Sequence, residues 1–474
     1  MTPPTGRPIR ATDFDRLYTA PLTEAVEPPQ ARRGRQAELA LRAAPAEPTA
    51  LGGCIVTPTQ ALAKGYVVIG AGKEIKAVQK SKPQGVKVHE TGGVIVPGLI
   101  DLHGHPEFNV FAAWEPPKQF PNRYSWRGSE LYQLLVRGPQ NKLLKALPPK
   151  TQLRYAEIRA LIGGVTAIQG TGEAATSYQD EALVRNVDKW IFGGQVGRSL
   201  IDLPSGDFGK AGLDSILAGI EAGEVKAFYV HLAEGRSDND RSLREFDKLA
   251  NELKSLSDKT VVIHGTALTK AQLSDMKDVG AKLVWSPQSN LRLYGETTKA
   301  ADALKLKLPI GLGADWLPSG STSLLAELKV ARRELIHQGG KPTAKQLVNM
   351  VTRDAAKIAG LQDKLGALEP GRPADLVVFE RREQDPWENV VAADPSWVEL
   401  VMIDGDLAYG REDTLTALAK PSELAGLEAQ IAWGKRMLLD TSYQAKPGAQ
   451  APPKLSKLRA DLIKQYPQLG PIFA

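Results

Sequence analysis

The apolar positions of this chain change their period along its length. From Ala50 onward they fall in short β-like runs, Cys54 to Thr57, Tyr66 to Gly70, Ile75 to Val78 and Val86 to Glu90, punctuated by Gly and Pro in the manner of a small sandwich. The pattern returns over Ala374 to Arg381 and Leu400 to Tyr409, so the two stretches are expected to form one β domain split by everything between them. The intervening residues alternate apolar strands with helical segments, which argues for a parallel sheet or barrel. Candidate strands cover 94–105, 164–170, 189–196, 227–234, 259–266, 282–289 and 309–316. A (β/α)8 TIM barrel needs one more, and the stretch 200–222 is the place left for it. A helical pattern over Pro421 to Leu439 precedes a tail rich in Pro and Lys, and the first fifty residues, rich in Pro, Ala and Arg, read as an extension without periodicity. The expected α/β organisation is an extension (1–50), a first part of a β-sandwich (51–93), a barrel (94–365), the second part of the sandwich (366–412) and a helical C-terminal segment with its tail (413–474).

Composition narrows the class. Of 474 residues 42% are hydrophobic and 24% charged, which excludes a disordered, collagen-like or coiled-coil chain. No run approaches the ~18 apolar residues of a bilayer span, and the single cysteine, Cys54, excludes a disulfide scaffold and a CxxC zinc site. Sixty Lys and Arg face fifty-four Asp and Glu, dispersed in alternation, so the positive excess reads as solubility and not as nucleic-acid affinity. The N-terminus has charges and prolines where a signal peptide needs an apolar core. The expectations are a cytoplasmic protein with a small-molecule substrate, no nucleic-acid or membrane partner, and association with further copies of itself as an open option.

The candidate chemistry lies at strand ends, where barrel enzymes keep their catalytic groups. Four of six histidines occupy such positions. In Gly98-Leu99-Ile100-Asp101-Leu102-His103-Gly104-His105 two imidazoles stand two residues apart after an apolar run and share one side of an extended chain. His231, with Glu234 three residues on, closes Phe228 to Val230. His264 closes Val261 to Ile263, and Asp315 ends a glycine-rich strand at 310–314. Singly, each has an ordinary explanation: loop histidines, a core imidazole, a helix cap. As an ordered set, each closing a separate strand, they suit a metal site with a proton carrier. Glycine-rich alternatives fail, since Gly65 to Lys73 lacks the Ser or Thr of a phosphate loop and Gly311-Leu312-Gly313 lacks a third glycine.

The motifs VIVPGLIDLHGH (94–105), GGVTAIQG (163–170), HLAEG (231–235), HGTAL (264–268), SPQSNLRLYG (286–295), GLGADWLPSGSTSLL (311–325) and LGALEPGRPADLVVFE (365–380) resemble the amidohydrolase superfamily. Within it they are similar to the mononuclear-metal branch of guanine, cytosine and S-adenosylhomocysteine deaminases and triazine hydrolases. The resemblance implies that His103, His105, His231 and Asp315 hold one divalent ion, zinc most often, with Fe2+ or Mn2+ as alternatives. It makes Glu234 the proton shuttle, His264 the group that orients water or polarises substrate, and Asp315 a proton acceptor as well as a ligand. Binuclear relatives carry a bridging lysine on a mid-barrel strand; Trp190 to Val196 has none, and Glu173 is held as a candidate extra ligand. The implied function is hydrolysis of a non-peptide carbon–nitrogen bond by metal-activated water, either deamination of a heterocyclic amine or opening of an amide. The competing class is a catalytically inactive scaffold on the same fold.

After the HxH pair comes a long segment with Phe108, Phe111, Trp114, Phe120, Tyr124, Trp126 and Tyr132 among Arg123 and Arg127. Over a barrel mouth it would form an aromatic lid selecting a flat or apolar substrate, or pack the loop onto the rim. Trp126, Arg123, Asn290 and Arg292 are the candidate substrate contacts, while His89 and His337 are expected to be structural.

Overall fold

The computed structural model describes residues 47–170, 182–188, 191–419, 421–441 and 453–473. The extension expected over 1–50 lies almost wholly outside the described residues, as does Glu173.

Four strands open the described chain: β1 (Thr49–Val56), β2 (Ala61–Ile69), β3 (Ile75–Gln79) and β4 (Lys87–Pro97). Eight short strands follow: β5 (Leu99–Asp101), β6 (Val165–Ile168), β7 (Arg185–Asn186), β8 (Gly197–Leu200), β9 (Ala227–Leu232), β10 (Thr260–His264), β11 (Lys282–Trp285) and β12 (Ile310–Leu312). The chain then returns through β13 (Leu376–Phe379), β14 (Val398–Ile403), β15 (Asp406–Arg411), β16 (Glu428–Ala432) and β17 (Lys435–Leu439). The two flanking groups make one nine-stranded sheet in the order β16-β17-β15-β14-β13-β4-β1-β2-β3. Its two halves meet where β13 runs antiparallel to β4, pairing Val377 with Val96 and Phe379 with Val94. The β domain is thus shared between both ends of the sequence, as one continuous sheet.

The strands β5 to β12 form a (β/α)8 barrel of two parallel sheets, β5-β6-β7 and β12-β11-β10-β9-β8. One seam is joined by Leu102 N–H donating to Leu312 O at 3.2 Å and Asp315 N–H donating to His103 O at 2.8 Å. Strand alternation sorts the walls. Ala227 and Tyr229 of β9 and Val261 and Ile263 of β10 fill the interior with Ile100, Leu102 and Ala167, while Phe228, Val230 and Val262 face outward against the helices.

Three expectations fail. In the stretch 189–196 the described residues, 191–196, form no strand but a tight turn closed by an Ile191–Gly194 bridge; β7 and β8 lie on either side. The stretch 200–222 contains the helix Lys210–Glu221, because Leu213, Ile216, Leu217 and Ile220 recur at helical spacing. Most of Pro421 to Leu439 is a hairpin, not a helix: only Pro421–Leu424 is helical. The left-handed φ of Trp433 (51°) and Gly434 (75°) makes the two-residue turn that matches strand twist, and β16 and β17 extend the sheet. The tail, for which the sequence suggested no role, forms the helix Leu455–Gln465 and buries Leu458 and Leu462.

Candidate active site

His103 and His105 lie just past β5, where Gly104 pairs with Asp315 past β12. That pairing requires bare backbone. A Cβ on Gly313 would lie 2.5 Å from His103 N, and one on Gly170 (φ 93°) would collide with the Gly104 carbonyl. His231 shares the inward parity of Ala227 and Tyr229 on β9. His264 does not: it has the parity of outward-facing Val262, yet its ring lines the cavity. A left-handed turn at His264, φ 68°, breaks the alternation there. Ala233 (φ 51°) and Asp315 (φ 61°) are in the same region, each a conformation costing on the order of 1–3 kcal/mol for a non-glycine residue. Packing and hydrogen bonds hold them. Ala233 N–H, for instance, donates to Glu245 Oε2 at 2.7 Å.

The side chains converge. His103 Nε2 is 3.1 Å from His231 Nε2 and 3.5 Å from Asp315 Oδ1, and His105 Nε2 is 3.7 Å from the same oxygen. One nitrogen from each of His103, His105 and His231 fits within 4.8 Å of the others, and so do ligand atoms of His103, His264 and Asp315. His103 Nδ1 is engaged by Ser286 Oγ at 2.8 Å, which leaves Nε2 for the centre. Asp315 Oδ1 and His231 Nδ1 are buried without a hydrogen-bond partner.

Electrostatics calls for a cation. Burial, with mutual repulsion, holds His103 and His231 well below the usual imidazole range, and burial pushes His105 down to about 3. All three are therefore neutral, with lone pairs free to coordinate. Burial pushes Asp315 well up, and nearby Glu234, Glu327 and Asp101 add repulsion. A divalent ion among these atoms would satisfy the orphaned oxygen and the facing lone pairs together, and the donor set of three imidazoles and one carboxylate suits zinc.

Around this centre Phe108, Trp126, Tyr132, Ile201 and Trp316 give the cavity apolar walls, and Arg123, Arg127, Glu234 and His264 give it polar ones. Open space between them, counted out to solvent, is about 450 Å3. Arg123 is buried and donates through Nε to Asp202 at 3.0 Å and through Nη1 to Glu245 at 3.3 Å. Arg127 also binds Asp202, at 3.0 Å. His264 Nδ1 meets Asn290 Oδ1 at 2.8 Å, which directs its Nε2 toward Glu234 Oε2, 3.6 Å away.

Of the expected substrate contacts, Trp126 and Arg123 line the cavity. Asn290 is buried behind His264, and Arg292 donates instead to Trp114 O at 3.4 Å; neither lines the cavity. The aromatic residues of the segment after the HxH pair divide between two environments. Phe111, Trp114 and Phe120 pack the loop together with Leu462 and Leu469 of the tail, whereas Phe108, Trp126 and Tyr132 face the cavity. Ile201, Trp316 and, behind Glu234, Tyr294 were not singled out in the sequence. Only Trp316, next to Asp315, carried a positional signal.

Residues 204–408 match the amidohydrolase family. Among similar sequences, a 5-methylthioadenosine/S-adenosylhomocysteine deaminase of Teredinibacter turnerae is 25% identical over 62% of this chain and 73% of the relative. A guanine deaminase of Rattus norvegicus is 30% identical over 27% of this chain and 30% of the relative. Among solved structures, an adenosine deaminase of Xanthomonas campestris with bound zinc superposes with a TM-score of 0.62 at 15% identity, over 90% of this chain and 99% of that one. The guanine deaminase of E. coli gives 0.58 at 17% identity, over 77% of this chain and all of its own. Among the described residues no helix is long and apolar enough to cross a membrane.

Proposed function

We propose that this protein is an amidohydrolase that hydrolyses a carbon–nitrogen bond other than a peptide bond in a small heterocyclic amine, with one divalent ion, zinc, held by His103, His105, His231 and Asp315. One observation carries the reading: ligand atoms of His103, His105 and His231 lie within 4.8 Å of one another, and the buried, unpartnered Asp315 Oδ1 lies 3.5 Å from His103 Nε2 and 3.7 Å from His105 Nε2. The deaminase names of the related sequences support the substrate class, and the zinc in the adenosine deaminase structure supports the metal. When bound, the ion supplies the positive charge that acidifies a water to a pKa of about 7 in zinc hydrolases.

The chain's own residues do the rest. Asp315, buried at the centre, takes a proton from the attacking water on its carboxylate. Glu234 is buried beside His264 and carries a proton to the departing nitrogen, the acid–base role worth about 10²- to 10⁴-fold. His264, fixed by Asn290, presents Nε2 to the substrate. Trp126, Trp316 and Phe108, packed against one another, offer a flat ring an apolar wall and exclude bulk water.

The test is release of ammonia from guanine, 5-methylthioadenosine, S-adenosylhomocysteine and an aminotriazine by the purified protein, with metal content measured in parallel. Activity abolished by chelation and restored by zinc is expected. A protein that binds no transition metal and gains no activity on its addition refutes the reading and favours the scaffold.

A further inference from the structure

Glu234 is anchored by a hydrogen-bond chain whose direction the donors dictate. Trp126 Nε1 lies 2.8 Å from Tyr294 Oη, and Tyr294 Oη lies 2.6 Å from Glu234 Oε1. An indole nitrogen can only donate. The Tyr294 oxygen is therefore the acceptor from Trp126, and its single proton is left for Glu234 Oε1. The arrangement is sealed, since Tyr294 has no exposed surface and Trp126 and Glu234 very little. Burial, with Glu234 next to it, holds the phenol well above its usual range, so it keeps the proton it donates. Glu234 Oε1 is thereby committed as an acceptor. The other oxygen, Oε2, is left facing His264 Nε2 at 3.6 Å and Arg123 Nη1 at 3.9 Å. The backbone on either side is pinned too, with Arg123 N–H donating to Glu234 O at 3.1 Å and Asn122 bridged to Gly235.

We propose that Tyr294 is a positioning residue for the proton carrier: by occupying Oε1 it makes Oε2 the proton-carrying oxygen, and through Trp126 it ties that choice to the aromatic segment over the barrel mouth. Tyr294 does not line the cavity, so its action is through Glu234 and not on the substrate. The inference rests on the hydrolytic reading of Glu234. It also gives Trp126 two functions, since the ring face walls the cavity while the ring nitrogen holds the phenol.

Two measurements on the full zinc-loaded chain test it. In protein labelled with 15N-tryptophan, the Trp126 indole signal, assigned through Trp126→Phe, is expected to shift in Tyr294→Phe and to stay in place in Glu234→Gln, whose carbonyl still accepts from Tyr294. An indole signal unmoved by Tyr294→Phe overturns the proposal without reference to activity. On whichever of the amines above the native protein deaminates, Tyr294→Phe should lower kcat about tenfold or more, a part of the general acid–base contribution, with KM unchanged within about twofold. Trp126→Phe should lose less kcat, and the double variant no more than Tyr294→Phe alone. A rise in KM with kcat intact, or losses that multiply in the double variant, overturns the positioning role while leaving the hydrolytic reading standing. A zinc-loaded native protein that deaminates none of the amines takes away both.

Discussion

Gly313 stands where the last barrel strand passes the first, and replacing it with alanine tests whether the metal centre depends on that approach. The added methyl would lie 2.5 Å from His103 N and 2.8 Å from its Cα, against an ordinary contact of at least 3.4 Å. All the neighbouring atoms belong to His103, none at the free end of a flexible chain, so the two segments must separate by roughly 1 Å. His103 is held on both sides, its N–H by Asp101 Oδ1 at 3.2 Å and its carbonyl by Asp315 N–H at 2.8 Å. Separation therefore pulls two proposed ligands apart together. Overpacking of this kind costs about 1–3 kcal/mol of stability. Metal ligation tolerates only about 0.2 Å, so zinc affinity should suffer far more than folding. We expect zinc affinity, from competition with a chromophoric chelator, to fall at least ~100-fold, the upper end of what lost outer-shell support costs, while thermal unfolding stays cooperative. Gly311→Ala is the control, because its methyl would meet Leu102 Cδ1 at 2.7 Å and Ile358 Cδ1 at 3.0 Å, ends of side chains away from the centre. It should lose stability and keep zinc. Native zinc affinity in Gly313→Ala, or equal losses in the two variants, would refute the reasoning.

Three further outcomes follow from particular contacts. Asn290→Ala removes the acceptor that fixes His264 Nδ1; kcat should fall ~10- to 100-fold with zinc content unchanged, and loss of zinc instead would make His264 a ligand. Glu327 is fully buried and burial pushes its carboxyl up to about 8, so its protonated form suits the fold and stability is lost as pH rises from about 4.5 to 8. Denaturation at a series of pH values should show Glu327→Gln equal to the native protein near pH 5 and more stable than it at pH 8, and a difference independent of pH contradicts this. Leu462→Ala, in the tail helix against the aromatic segment, should cost about 2–5 kcal/mol if the tail is part of the folded unit, read as a lowered unfolding midpoint; an unchanged midpoint would mean the tail packs only loosely.

The parts of the molecule legible in the sequence are those whose signal is local. The β runs near both ends could be read because alternation and Gly/Pro punctuation repeat within a few residues, and the HxH pair, His231, His264 and Asp315 stood out because each closes an apolar run. The failures have local causes as well. Strands β7 and β8 are two and four residues long, too short for a period to register, and the hairpin at Glu428–Leu439 carries a polar outer face that blurs its alternation.

Residue type and order alone determined which groups could coordinate an ion and which strands would carry them, because coordination chemistry and strand parity are properties of a few neighbouring residues. Tertiary structure decided the rest. His264 reaches the cavity only because its backbone turns left-handed against its parity. Asn290 meets the His264 imidazole because folding puts it behind the ring. Tyr294 meets Trp126 across 168 residues of chain, and the tail reaches the aromatic segment across a greater distance still. No spacing rule encodes such meetings, since they arise when the barrel closes and apolar surface from remote segments is buried together.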